Sequence, residues 1–148
     1  MVDALYEIWR VLRTDGILID IRPISDRWPV EVVSSRETRV TGHVLDLPES
    51  LADDIAANRS MIEAADKGWF TKEQEEFFHY HYSWDSPNEM KDYIMEEWED
   101  FVGIDEETML ITSSTWALAD ADARVRLRTK IMITRWRKCS GSKPQVSV

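Results

Sequence analysis

Residues 5–23 read LYEIWRVLRTDGILIDIRP, and the change of period inside this stretch decides the fold class. Leu5, Ile8, Trp9 and Leu12 recur at helical spacing, so residues 3–13 read as an amphipathic helix with Asp3 as its N-cap. Gly16 supplies the left-handed residue that stops it. Ile17–Ile21 follows as a nearly unbroken apolar run, the pattern of a strand buried on both faces in a parallel sheet, and Pro23 ends it. A helix, a glycine turn and a buried strand in succession specify an α/β domain.

Working outward, residues 29–46 read as a hairpin. Val30, Val32 and Val33 lie in one arm, Val40, Val44 and Leu45 in the other, and Ser34–Arg39 in the turn. Asp46 and Pro48 open a helix that runs to Lys67, with Leu51, Ile55, Ile62 and Ala65 as its apolar stripe and Gly68 as its stop. Residues 72–82 read as a second helix that becomes irregular at its aromatic end. Ser86-Pro87-Asn88-Glu89 is a capping box with proline in the first turn, and the helix after it buries Met90, Tyr93, Ile94, Trp98 and Phe101. Asp105 caps another helix through Ala119, with Leu110 and Trp116 on its buried side. In 124–137 basic residues alternate with Val125, Leu127 and Ile131 at the period of a strand. Residues 1–138 are thus one α/β domain with several helices and an additional β-hairpin. Residues 139–148 are expected to be a flexible tail.

Composition narrows the function. With 148 residues and 43% hydrophobic content, the chain is long and apolar enough to bury a core. A net charge of −10 and a pI near 4.7 argue against binding a nucleic-acid backbone. The exception is residues 124–138, which hold Arg124, Arg126, Arg128, Lys130, Arg135, Arg137 and Lys138 without an acid. This run reads as a basic strand docked beside acidic helices, or as a stripe for an acidic partner. Cys139 is the one cysteine, which suits a reducing compartment. No transmembrane stretch and no signal-peptide pattern is read, so a soluble cytoplasmic protein is expected.

The opening stretch also resembles a late segment of the class I S-adenosylmethionine-dependent methyltransferase domain. The matching residues are Glu7, Arg10, Val11, Leu12, Asp15 and Gly16, followed by Ile17–Ile21, with Thr14 where the family often has proline. In that family the unit is the fourth helix and fifth strand of a seven-strand sheet. The resemblance therefore implies a partial Rossmann-like methyltransferase sheet and the substrate-side part of such a protein. The family's cofactor loop is Gly-rich, and the glycines here, at 16, 42, 68, 103 and 141, are too dispersed to form one. This chain alone is thus expected to hold no S-adenosylmethionine, which would enter only with a missing N-terminal half, and to be inactive in isolation. An edge and a face of the sheet would stand uncovered, so a homo-oligomer or a complementary chain is expected. The alternative is a non-catalytic oligomerisation or protein-interaction module.

Four residues stand out as candidate contacts for a small-molecule substrate, and none as a catalyst. Arg22 follows the apolar strand, at the rim where open α/β sheets bind ligands, and Trp28 lies just beyond it. Arg22 could instead pair with Asp20 or Asp26. His79 and His81 flank Tyr80, and on a strand they would face the same way. Spacing sets no third or fourth ligand for a metal, and the other reading is an aromatic segment with two half-exposed histidines.

Overall fold

In the computed structural model, which describes residues 1–140, the opening stretch forms helix α1 (Val2–Val11) and strand β1 (Ile17–Pro23). The turn between them works differently from the expected one. Asp15 carries the positive φ, 59°. Gly16 is needed for space instead: a Cβ there would stand 2.8 Å from the Arg13 carbonyl oxygen and 3.3 Å from the Leu12 side chain. Asp3 is not the N-cap but sits in the first turn, where its charge still favours the helix dipole.

The chain continues through β2 (Pro29–Val33), β3 (Thr38–His43), β4 (Leu45–Asp46), α2 (Pro48–Asp66), β5 (Phe70–Trp84), α3 (Pro87–Glu97), β6 (Val102–Gly103), α4 (Glu106–Ala117) and β7 (Arg124–Lys138). It is a mixed α/β chain, and it divides into two compact units. The first comprises residues 1–22, 53–78 and 132 onward; the second comprises 23–52 and 79–131. The strands β5 and β7 each contribute a part to both. Along β7 the buried positions are Val125, Leu127 and Thr129, then Met132, Thr134 and Trp136. The alternation changes parity between Thr129 and Met132, where the strand passes from the second unit to the first. Of the expected tail, only Cys139 and Ser140 lie within the described residues.

In the first unit, Leu5, Met61, Ala64, Trp69, Phe70 and Trp136 form the core, with Tyr6, Ile8, Trp9, Leu12 and Leu18 packed around it. β1 pairs with β7, and Lys138 N–H donates to the Gly16 carbonyl at 2.8 Å. The start of β1 thus meets the end of β7, and the two run antiparallel. The expected central parallel strand is not formed. β1 is an edge strand with Ile19 46% and Ile21 58% exposed. Its apolar run reflects an outer face left open, not two covered faces.

Two further expectations are corrected. Residues 72–82 belong to the strand β5, not to a helix. The aromatic run 77–82 favours a pleated strand, and Glu73 is held by Arg135 and Arg137 of β7. On α2 the buried residues are Met61 and Ala64, while Leu51, Ile55 and Ile62 are exposed. The helix spans the expected stretch and ends before Gly68 at φ 74°, while Asp46 is engaged with the Arg27 N–H instead of its start, and the core-facing side carries the less apolar residues.

In the second unit, β2 joins β3 and β7 in antiparallel register, with Val30 opposite Gly42 and Leu127, and Val32 opposite Arg39 and Val125. One face carries Val30, Val125 and Leu127, packed with Trp28, Val44, Met90, Ile94 and Val102. α3 forms half of the expected capping box: Ser86 Oγ accepts the Glu89 N–H at 3.2 Å, while the Glu89 carboxylate reaches one residue past the cap and accepts the Asp85 N–H at 3.0 Å. Asp105 caps α4 by accepting the Thr108 N–H at 2.7 Å, and hydrogen bonding from the Thr108 side chain first, then from its N–H, holds the carboxyl below its ordinary value. Leu110 and Phe101, expected to be buried, are 69% and 42% exposed. α4 instead seats its hydroxyl side on the sheet, where Thr112 meets Thr41 at 2.7 Å with both residues buried. The small Gly42 lets Thr108 approach: a Cβ at 42 would stand 2.6 Å from it.

Candidate functional site

The other face of the second unit is polar, and its organising residue is Glu31. It alternates with Val30 and Val32 on β2, and is only 3% exposed. A buried carboxylate needs partners. Arg126, directly opposite on β7, donates from Nε at 2.7 Å, and Arg128 brings its Nε to 3.2 Å. The second approach is an ion pair without hydrogen-bond alignment, so the Arg128 Nε–H is buried and unsatisfied. One acid thus neutralises one of two guanidinium charges.

Arg128 also lines an open cleft of about 520 Å³ with Ser25, Asp26, Arg27, Pro29, His43, Asp46 and His79. The segment 25–29 enters it through a backbone kink. Arg27 has φ 45°, which an L side chain adopts at a cost, and Asp46 accepts its N–H at 3.0 Å to hold the kink. Asp26 is engaged as well, taking Lys130 Nζ at 3.0 Å. The two acids of the cleft are therefore committed to holding the wall. The Arg27 side chain is exposed and ends in solvent-facing space, and His43 and His79 are exposed too.

The expected residues are dispersed by this arrangement. His79 lines the cleft. His81, two residues along β5, lies near Arg126, Arg128 and Glu31; partial desolvation first, then the Arg126 charge, holds its imidazole below the ordinary value of 6.5, against the pull of Glu31. Trp28 does not face the cleft. It is a core residue, 8% exposed, whose Nε1–H donates to the Ile24 carbonyl at 2.9 Å and whose ring meets Trp98 edge-on. Arg22 belongs to the first unit, where it pairs with Asp20 at 3.2 Å and donates to Asn58 at 2.8 Å. It borders a groove of about 230 Å³ lined mainly by Met1, Leu5, Leu18, Ile19, Ile21 and Met61.

Sequence reasoning missed Arg128, His43 and Glu31 as site residues. The available signal was Glu31 itself, an acid inside the apolar run Val30–Val33, to be matched with the alternating Arg126 and Arg128. The basic run is docked on acids as one of its readings expected, with Arg124 on Asp85, Lys130 on Asp26, and Arg135 on Glu73. Those acids lie on strands and loops, not on helices. Among the described residues no group of three or more His, Cys, Asp or Glu is placed to hold a metal, and no helix is long and apolar enough to cross a membrane. Comparison with family models, curated proteins and solved structures finds no match in any of the three.

Proposed function

We propose that this chain is the substrate-side part of a cytoplasmic, methyltransferase-like protein, and that it works in a homo-oligomer or with a complementary chain. In this reading the partial Rossmann-like sheet is represented by α1, the Gly16 turn and β1. The polar cleft of the second unit receives a small-molecule substrate, and S-adenosylmethionine is held by elements that residues 1–148 do not supply.

The observation that carries the reading is the outer edge of β1. It ends the strand order, and its Ile19 and Ile21 are 46% and 58% exposed. Open apolar strand edges are association surfaces. The resemblance places further sheet there, and a second copy would serve the same physical need.

The test is association, measured by light scattering across a wide concentration range. The wild-type chain is expected to exceed its 17.3 kDa monomer mass, and Ile19→Lys with Ile21→Lys to return to it. A strict monomer whose behaviour the double substitution leaves unchanged overturns the role of the edge. Calorimetry with S-adenosylmethionine should give no heat of binding to the isolated chain. Saturable binding there overturns the assignment of the cofactor to other elements.

A further inference from the structure

The cleft of the second unit points to a ligand chemistry. We infer that it binds a small organic dianion, a dicarboxylate or a phosphate monoester, between Arg27 and Arg128 with His43 and His79 as additional donors. The inference deepens the reading of the cleft as a substrate site, but its test is binding at these residues and is separate from association at β1.

Three observations carry it. First, the charge in the cleft is cationic in effect. Lys130 offsets the charge of Asp26 at 3.0 Å, and Asp46, which takes the uncharged Arg27 N–H at 3.0 Å, is set against the Arg27 guanidinium charge. Glu31 is shared between Arg126 and Arg128, so one positive charge of that trio is uncompensated. Second, Arg128 meets Glu31 only as an unaligned ion pair at 3.2 Å and keeps 36% of its side chain exposed where it lines the cleft. Third, Arg27 is held at φ 45°, a conformation that glycine would adopt more readily than arginine. Strain retained at a non-glycine residue beside a cleft is an expected mark of a ligand clamp.

Arginine is suited to this role because its planar fork meets carboxylate or phosphate oxygens in pairs. The imidazoles of His43 and His79 border the same space. A volume of about 520 Å³ admits a small molecule rather than a single ion, so the two charges would be set on an organic body.

The experiment is an NMR titration of the full chain with succinate and, separately, with inorganic phosphate, read at the His43 and His79 ring resonances. Saturable shifts at both histidines with succinate assign a dicarboxylate, and with phosphate alone a phosphate monoester. Arg27→Gln keeps the stem to Cδ with a polar end, removes the guanidinium and adds no new backbone strain, and it is expected to weaken binding about tenfold or more. Its amide spectrum confirms that it is folded. The absence of saturable shifts with both anions overturns the inference, as does undiminished affinity in folded Arg27→Gln.

Discussion

Replacing Glu31 by Gln removes one charge from the polar face of the second unit and little else, because the amide keeps the shape of the carboxylate. The expected cost follows from burial. Glu31 has 4% of its side chain in water, whereas Arg126 and Arg128 keep 25% and 36%. Deleting one member of a fully buried ion pair costs about 3–5 kcal/mol. Here the two arginines can be rehydrated in part, and the glutamine oxygen can still accept from Arg126. We therefore expect a loss of about 2 kcal/mol, and a fall in melting temperature of about 4–8 °C for a chain of this size. Urea unfolding followed by circular dichroism and tryptophan fluorescence measures the loss, provided the two signals coincide, because the two units could otherwise unfold in separate steps. Replacing Glu31, Arg126 and Arg128 together by leucine removes the buried acid along with the charges left over, and should recover stability to within about 1 kcal/mol of the wild type. A loss below about 0.5 kcal/mol in Glu31→Gln would refute the reasoning, since it would mean that water already reaches the carboxylate.

Arg27→Gly should raise stability by about 0.5–1 kcal/mol by releasing the positive-φ strain, while weakening the binding of succinate or phosphate about tenfold or more, as in Arg27→Gln; calorimetric melting and the NMR titration read the two effects. Thr112→Val should cost only about 0.5 kcal/mol, because the Thr41 hydroxyl keeps the Val30 carbonyl as acceptor at 3.3 Å, and a double-mutant cycle with Thr41→Val measures the coupling of the pair. The folded-state pKa of His81 lies below its ordinary value, so the unfolded chain binds a proton more readily. The contribution of this residue to stability is thus present above about pH 6.5 and declines as pH falls from there through the folded pKa. His81→Gln should flatten that part of the melting-temperature profile, and an identical profile in the variant counts against the desolvated position of the imidazole.

What could be read in the sequence was local chemistry. The Ser86 cap and the Asp105 cap set two helix starts, because each is a short-range hydrogen bond that needs no tertiary partner. The hairpin arms around Ser34–Arg39 were likewise carried by β-branched residues close in the chain. Pairing direction was not legible. Ile17–Ile21 is equally compatible with a strand covered on both faces and with an edge strand whose outer residues await a partner, and only the antiparallel pairing with β7 separates them. The helix expected over 72–82 failed for a related reason. Lys72, Glu73, Glu75 and Glu76 are good helix formers in isolation, but Glu73 is claimed by Arg135 and Arg137, more than sixty residues away. The same distance hid the cleft. Arg27, His43, His79 and Arg128 share no spacing that a motif could capture. They meet because Glu31, buried in an otherwise apolar strand, draws Arg126 and Arg128 to the polar face while Asp46 holds the kink at Arg27. An unexplained acid in an apolar strand was therefore the best pointer to the site, and its arginine partners, not the histidines beside them, were the residues to seek.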